Sequence, residues 1–135
     1  MRDSPHVVFK EADRMNMRER GDRGEEQAAA YLEQNGCIIL KRNHCIRGGE
    51  VDIIFKDGGT IVFCEVKTRT QSRFGTPAEA VTAVKQRRIC RAALDYAYQK
   101  KCIDESIRFD IIEVMSDKIN HIKGAFEFIE DTGER

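Results

Sequence analysis

Asp52, Glu65 and Lys67 put two carboxylates and an ammonium within one stretch, Gly49 to Arg69, which reads GEVDIIFKDGGTIVFCEVKTR. Converging carboxylates are the donors a hard cation wants. Mg²⁺ typically takes one or two of them, keeps several waters and accepts phosphate oxygens. Lys67 would then stand beside a reacting phosphate.

Whether the acids converge depends on the elements that carry them. Val51 to Phe55 and Ile61 to Val66 are apolar runs joined by Lys56-Asp57-Gly58-Gly59-Thr60, the composition of a hairpin turn. A Gly58-Gly59 loop sets Asp57 opposite Thr60. Counting outward, Asp52 faces Glu65 and Glu50 faces Lys67. A four-residue loop gives the same pairs, whereas three or five residues break the facing. Alternation puts Glu65 and Lys67 on one side and Val66 on the other. Like charges placed opposite each other destabilise a hairpin unless something compensates.

Such charges on an exposed hairpin are ordinary solvated surface. Here Ile61-Val62-Phe63-Cys64-Glu65-Val66 has no polar alternation, so the strand is expected to be buried on both faces. A carboxylate inside it needs a partner or a cation.

The spacing of Asp52 and Glu65-Val66-Lys67 resembles the core of the restriction-endonuclease-like, PD-(D/E)xK, nucleases. More narrowly, GEVD, VFCEVKTR, Gly75-Thr76-Pro77, Lys85 and Arg108-Phe109-Asp110 resemble the uncharacterised bacterial YraN family. That family is itself similar to archaeal Holliday-junction resolvases, and the likeness runs from about Gly21 to Phe126. Val51 stands where the superfamily's name has proline, a position that carries no chemistry. The resemblance implies a Mg²⁺- or Mn²⁺-dependent endonuclease acting on DNA, with RNA left open, in repair or recombination. Asp52 and Glu65 would hold the metal, the Val66 carbonyl would complete the shell, and Lys67 would orient water and stabilise charge at phosphorus. The related resolvases place a first-helix glutamate near the metal. Glu25 is the matching candidate here for an extra ligand or base.

From Asp22 to Gly36 the sequence predicts a helix, with Asp22 as N-cap, Glu25 closing a capping box and Gly36 as the stop. Read from the residues alone, that box is sufficient reason for Glu25. Cys37 to Leu40 reads as an edge strand and Thr68 to Gly75 as a polar loop. Thr76-Pro77-Ala78-Glu79 opens a second helix reaching about Lys100, with Val81, Val84, Ile89, Ala92, Ala93 and Tyr96 facing the sheet. Ile107 to Met115 and Lys118 to Lys123 are the last strands, and Asp110 is as consistent with a structural as with a catalytic role. Helix, three strands, long helix, two strands implies an α/β sandwich, a mixed sheet with an antiparallel hairpin flanked by helices.

Between Lys67 and Lys101 nine Lys/Arg stand against Glu79 and Asp95, in a chain of net charge zero. Such a stripe is the footprint of a phosphate-backbone binder. Arg69, Lys85, Arg88 and Arg91 are the candidate nucleic-acid contacts.

The 135 residues suit one domain over residues 21–129, with residues 1–20 as a loosely docked extension and 130–135 as a loose acidic tail. No apolar run approaches a membrane span and none near the start suits a signal peptide, so the expected location is the cytoplasm with no membrane partner. Five scattered cysteines fit reduced thiols rather than a disulfide framework or a zinc ribbon. His6, His44 and His121 are too dispersed for a zinc helix and are expected to be solvated or structural. Symmetric cutting of a four-way junction would need two active sites, hence a homodimer. The rival from another class is a nucleic-acid-binding module that keeps the nuclease fold without turnover.

Overall fold

The computed structural model describes residues 22–69 and 81–130. Helix α1 occupies residues 22–34 and stops where the sequence predicts. Gly36 adopts φ +85°; its N–H donates to the Glu33 carbonyl at 3.1 Å, and the Cys37 N–H donates to that of Leu32 at 3.0 Å. These two bonds close a Schellman end, which needs a left-handed residue. The expected N-terminus is corrected: Asp22 is already helical, so it does not cap, and Glu25 turns to the sheet.

The remaining elements are β1 (Ile38–Ile46), β2 (Gly49–Asp57), β3 (Thr60–Arg69), α2 (Ala83–Gln99), β4 (Ser106–Met115) and β5 (Lys118–Phe126). The strands form one five-stranded sheet in chain order. All neighbours are antiparallel except β3 and β4. A parallel pair needs a long crossover, and α2 lies within it. The mixed α/β sheet flanked by helices is therefore as expected.

Each face has its own core. Ile54, Ile61, Phe63 and Ile111 pack with Ile89, Ala92, Ala93 and Tyr96 of α2. Ile53, Phe55, Val62, Cys64, Ile112 and Val114 pack with Ala28 and Leu32 of α1. Consecutive residues of β2, β3 and β4 thus bury in opposite directions, which is why those strands lack polar alternation.

The boundaries bring corrections. β1 continues through Ile46, because an edge strand accepts polar residues outward and absorbs irregularity, here a register shift between Ile39 and Lys41. β3 holds its pairing with β4 to Arg69, so Thr68 and Arg69 belong to the strand and not to a loop. Thr82 is the extended N-cap of α2, its hydroxyl accepting from the Lys85 N–H; the helix therefore starts after Thr82 and cannot run unbroken from Pro77. Val84, expected in the core, is 59% exposed, since it sits in the first turn ahead of the packed face. Residues 1–20, the loop from Thr70 to Gly75, the Thr76-Pro77-Ala78-Glu79 opening and the tail beyond Glu130 lie outside the described residues.

All five cysteines are free. His44 and His121 each bond an acid, Asp95 and Asp110 respectively, and so are structural. Among the described residues no helix is long and apolar enough to cross a membrane.

Candidate active site

The hairpin register is the predicted one. Asp57 pairs with Thr60 and the ladder continues to Ile53 opposite Cys64, with Gly58 at φ +62° in the turn. The paired residues end at Ile53 and Cys64; Asp52 and Glu65 come next in the count, beyond the ladder, and their side chains interact there.

Asp52 fills the opening. Its Oδ2 accepts the Val66 N–H at 2.8 Å, a donor that the ladder would otherwise have given to β2. The turn of the side chain is visible in its neighbours. Val51 and Ile54 both pack in the α2 core, although strict alternation would separate them, so the alternation of β2 breaks at Asp52 while its register with β1 holds from Arg42–Ile53 to His44–Val51. Opposite on β1, Asn43 adopts φ +55°, a second irregularity at the same level. In a regular strand the N–H and C=O of one residue point to the same neighbour, which makes the Val66 carbonyl a candidate donor on this side.

Glu65 projects into this notch from β3, only 4% exposed. Burial, then the Asp52 charge, push its carboxyl up to about 8. Burial raises Asp52 as well, against the Val66 hydrogen bond and a hydrogen bond with Glu65 that lower it. The two carboxyls thus act on each other directly. Among the described residues Glu65 Oε1 is buried with no hydrogen-bond partner, and Lys85 Nζ lies 3.6 Å from Oε2. Lys67 is half-buried, and its charge acts to lower the Glu65 pKa.

The donor set fits a hard cation. Two carboxyls converge, and among the described residues one of their oxygens has no hydrogen-bond partner. Among the described residues, however, no three His, Cys, Asp or Glu side chains group as a metal cluster. Glu25 shows why. Its pKa is raised by burial and by Asp52, so it is near the pair, but Arg42 holds it at 3.6 Å and Asn43 bonds it.

The predicted nucleic-acid contacts are distributed unevenly. Lys85 and Arg88 both lie 3.7 Å from Glu50, and Lys85 also lies 3.6 Å from Glu65. Arg91 donates to the Gly48 carbonyl at 3.1 Å and borders a hollow of about 630 Å³ lined by Ile46, Leu94, Tyr98 and Phe128, away from the acids. Arg69 pairs with fully buried Glu113 at 2.8 Å. Gly49 sets this arrangement: a Cβ there would meet the Arg88 carbonyl oxygen at 2.6 Å and the Ala92 nitrogen at 3.0 Å, so its absence lets α2 close on the start of β2.

Glu50, Asn43 and Arg42 were not singled out as site residues from the sequence. Glu50 had a usable signal, standing two residues from Asp52 on one strand. Arg42 and Asn43 had none, because their role depends on how α1 docks.

A family model described as "Uncharacterised protein family UPF0102" matches residues 24–114. The chain belongs to UPF0102. That family is the YraN family that the sequence motifs resemble. The chain is 47% identical over 111 residues to a UPF0102 protein of Geobacter metallireducens, covering 79% of this chain and 91% of that protein. With a UPF0102 protein of Caldicellulosiruptor saccharolyticus it shares 47% over 118 residues, 83% of this chain and 100% of the other. With UPF0102 protein CD630_12710 of Clostridioides difficile it shares 42% over 114 residues, 83% and 100%. The solved structure described as "Crystal structure of SSO0001" is similar with a TM-score of 0.45 and 15% identity, covering 96% of this chain. The chain spans 56% of that structure's length.

Proposed function

We propose that this UPF0102 protein is a divalent-metal-dependent endonuclease that hydrolyses phosphodiester bonds in DNA. One observation supports the reading above the others: a buried acid pair in which Glu65 Oε1 has no partner. Asp52 and Glu65 are proposed to hold Mg²⁺ or Mn²⁺, with the Val66 carbonyl as a further donor. Bound there, the cation would supply Lewis-acid polarisation of a phosphate oxygen and lower the pKa of water.

This chain's own residues do the rest. Lys67, on the strand position following Val66, offers its ammonium to charge developing on the phosphate oxygens and orients the attacking water. Glu25 of α1, held by Arg42 of β1, lies near Asp52 as a base or an additional ligand once Arg42 releases it. The Asp52 bond to the Val66 N–H fixes the acid in the opening before any substrate arrives. Lys85 and Arg88 of α2 are the proposed contacts to the incoming backbone nearest the acids, and Arg69 and Arg91 are proposed as outlying contacts.

A non-catalytic DNA-binding module is favoured by one observation, the lack of a three-acid cluster among the described residues. Labelled duplex, nicked, flapped, single-stranded, four-way-junction and RNA substrates incubated with Mg²⁺ or Mn²⁺ separate the readings. Cleavage by wild type and none by Asp52→Ala supports the nuclease. Binding without cleavage by wild type on every substrate supports the module.

A further inference from the structure

Lys85 belongs to the acid site rather than to a surface stripe. Its Nζ stands 3.6 Å from Glu65 Oε2 and 3.7 Å from Glu50 Oε1. Both distances exceed hydrogen-bonding range, so the ammonium is held by charge alone and not by directional bonds. Its backbone is fixed, because the Lys85 N–H donates to the Thr82 cap at 3.2 Å; the side chain can move while the helix stays. Among the described residues the far oxygen of Glu65, Oε1, has no hydrogen-bond partner, so Lys85, with the more weakly acting Lys67, compensates the acid by charge and leaves that oxygen unbonded.

We propose that Lys85 is the site's built-in counter-ion, a placeholder between Glu65 and Glu50 that an entering divalent cation displaces onto Glu50. This rests on the reading of Asp52 and Glu65 as a cation site. Lysine suits the part better than arginine. A compact point charge on a flexible stem swings away without breaking a bidentate fork. Glu50 suits the receiving part: its side chain is 40% exposed and already draws Arg88 at 3.7 Å, so it tolerates a second cation without burial. The divalent ion then competes with Lys85, and its affinity is lower than the acids alone would give. Lys85, once displaced, remains at the mouth of the notch beside the path of a phosphate. It is a positioning residue that sets cation affinity and moves no atom of the substrate.

The test is a calorimetric titration of Mg²⁺ at about pH 9, above the Glu65 value of about 8, so that proton competition is reduced. Wild type, Lys85→Met, Lys85→Arg and Asp52→Ala are compared at low salt. Lys85→Met keeps the length and removes the charge; about tenfold tighter Mg²⁺ binding is expected, within the Coulomb energy of a close, partly screened charge. Lys85→Arg keeps the charge and should bind no more tightly than wild type. A role in packing alone would not give that contrast. The melting temperature provides a second readout: Mg²⁺ should raise it more in Lys85→Met than in wild type. If wild type binds Mg²⁺ in an Asp52-dependent way and Lys85→Met binds equally or more weakly, the counter-ion role is overturned and the cation site stands. If neither shows Asp52-dependent binding, both are overturned.

Discussion

Two groups of buried acid sit in the same sheet and are treated in opposite ways. At the notch between β2 and β3, Glu65 keeps an oxygen without a partner and faces Asp52. On β4, fully buried Asp110 accepts from Arg108 Nε and Nη2 at 2.9 Å, from His121 Nε2 at 2.7 Å and from the Gly124 N–H at 3.0 Å. The network runs on through His121 to the Tyr31 hydroxyl of α1 at 2.9 Å, and through Arg108 to Asp57 at 3.0 Å. Burial acts to raise both acids. At Asp110 the bonds from His121, Arg108 and Gly124 outweigh it and hold the pKa below the ordinary value. At Glu65 no such set exists, and the second carboxylate adds to the rise. Burial by itself therefore does not mark a site. An acid whose partners are complete ties α1 to the sheet; an acid left incomplete wants a proton or a cation.

The contrast is broken or sharpened most strongly by truncating each centre. Asp110→Ala strands Arg108 and His121 and should cost about 3–5 kcal/mol, the usual result of removing one partner of a buried ionic network. Asp52→Asn relieves like-charge repulsion and should leave metal-free stability unchanged or higher. Urea denaturation at neutral pH checks both. A larger loss for Asp52→Asn than for Asp110→Ala would invert the comparison.

The pH dependence should also have opposite signs. Glu65 is raised from 4.5 to about 8, so the native state binds more protons than the unfolded chain between those values. Stability from this acid is full below about pH 4.5 and is lost as pH rises to about 8. The slope is at most about 1.4 kcal/mol per unit. Glu65→Gln should flatten that segment, and saturating Mg²⁺ should restore stability at the alkaline end. Asp110 is lowered from 3.8, so its contribution is full above that value and disappears as pH falls further. Denaturation midpoints of wild type and Glu65→Gln across pH 3 to 9 measure both arms.

Gly49→Ala is expected to cost about 1–3 kcal/mol, the usual range for overpacking, because the new methyl meets helix backbone rather than a movable side chain. Thermal melts measure it, and an unchanged midpoint would mean that α2 is not seated so closely on β2. The smallest effect is Arg88→Ala, which should reduce the slope of log DNA affinity against log salt by about one if Arg88 meets a phosphate. An unchanged slope would leave Arg88 as a partner of Glu50 alone.

The hairpin register was legible because Gly58-Gly59 makes it a matter of local counting, and Asp52 and Glu65 met accordingly. Arg108-Phe109-Asp110 was visible as a motif, but Asp110 could be read as structural only once His121 and Gly124 arrived from another strand. The expected unbroken helix from Thr76 to about Lys100 fails at Thr82, whose extended backbone caps α2, a break that depends on how the helix seats on the sheet. Lys85 read as a phosphate contact because its distance from Glu65 depends on Gly49 admitting the helix, which no periodicity reports. The length of β1 was missed since it is bulged near Ile39 and polar from Lys41 to His44, as edge strands are.

The account stands most directly on Lys67. DNA binding, Mn²⁺ binding and Mn²⁺-dependent cleavage are to be measured for wild type and Lys67→Ala in one buffer. Removing a single well-placed electrostatic stabiliser typically lowers kcat by about 10²–10³ while ground-state binding changes far less. The predicted result is cleavage reduced by that factor with Mn²⁺ affinity unchanged and DNA affinity only modestly weaker. Equal cleavage by Lys67→Ala and wild type would contradict the account.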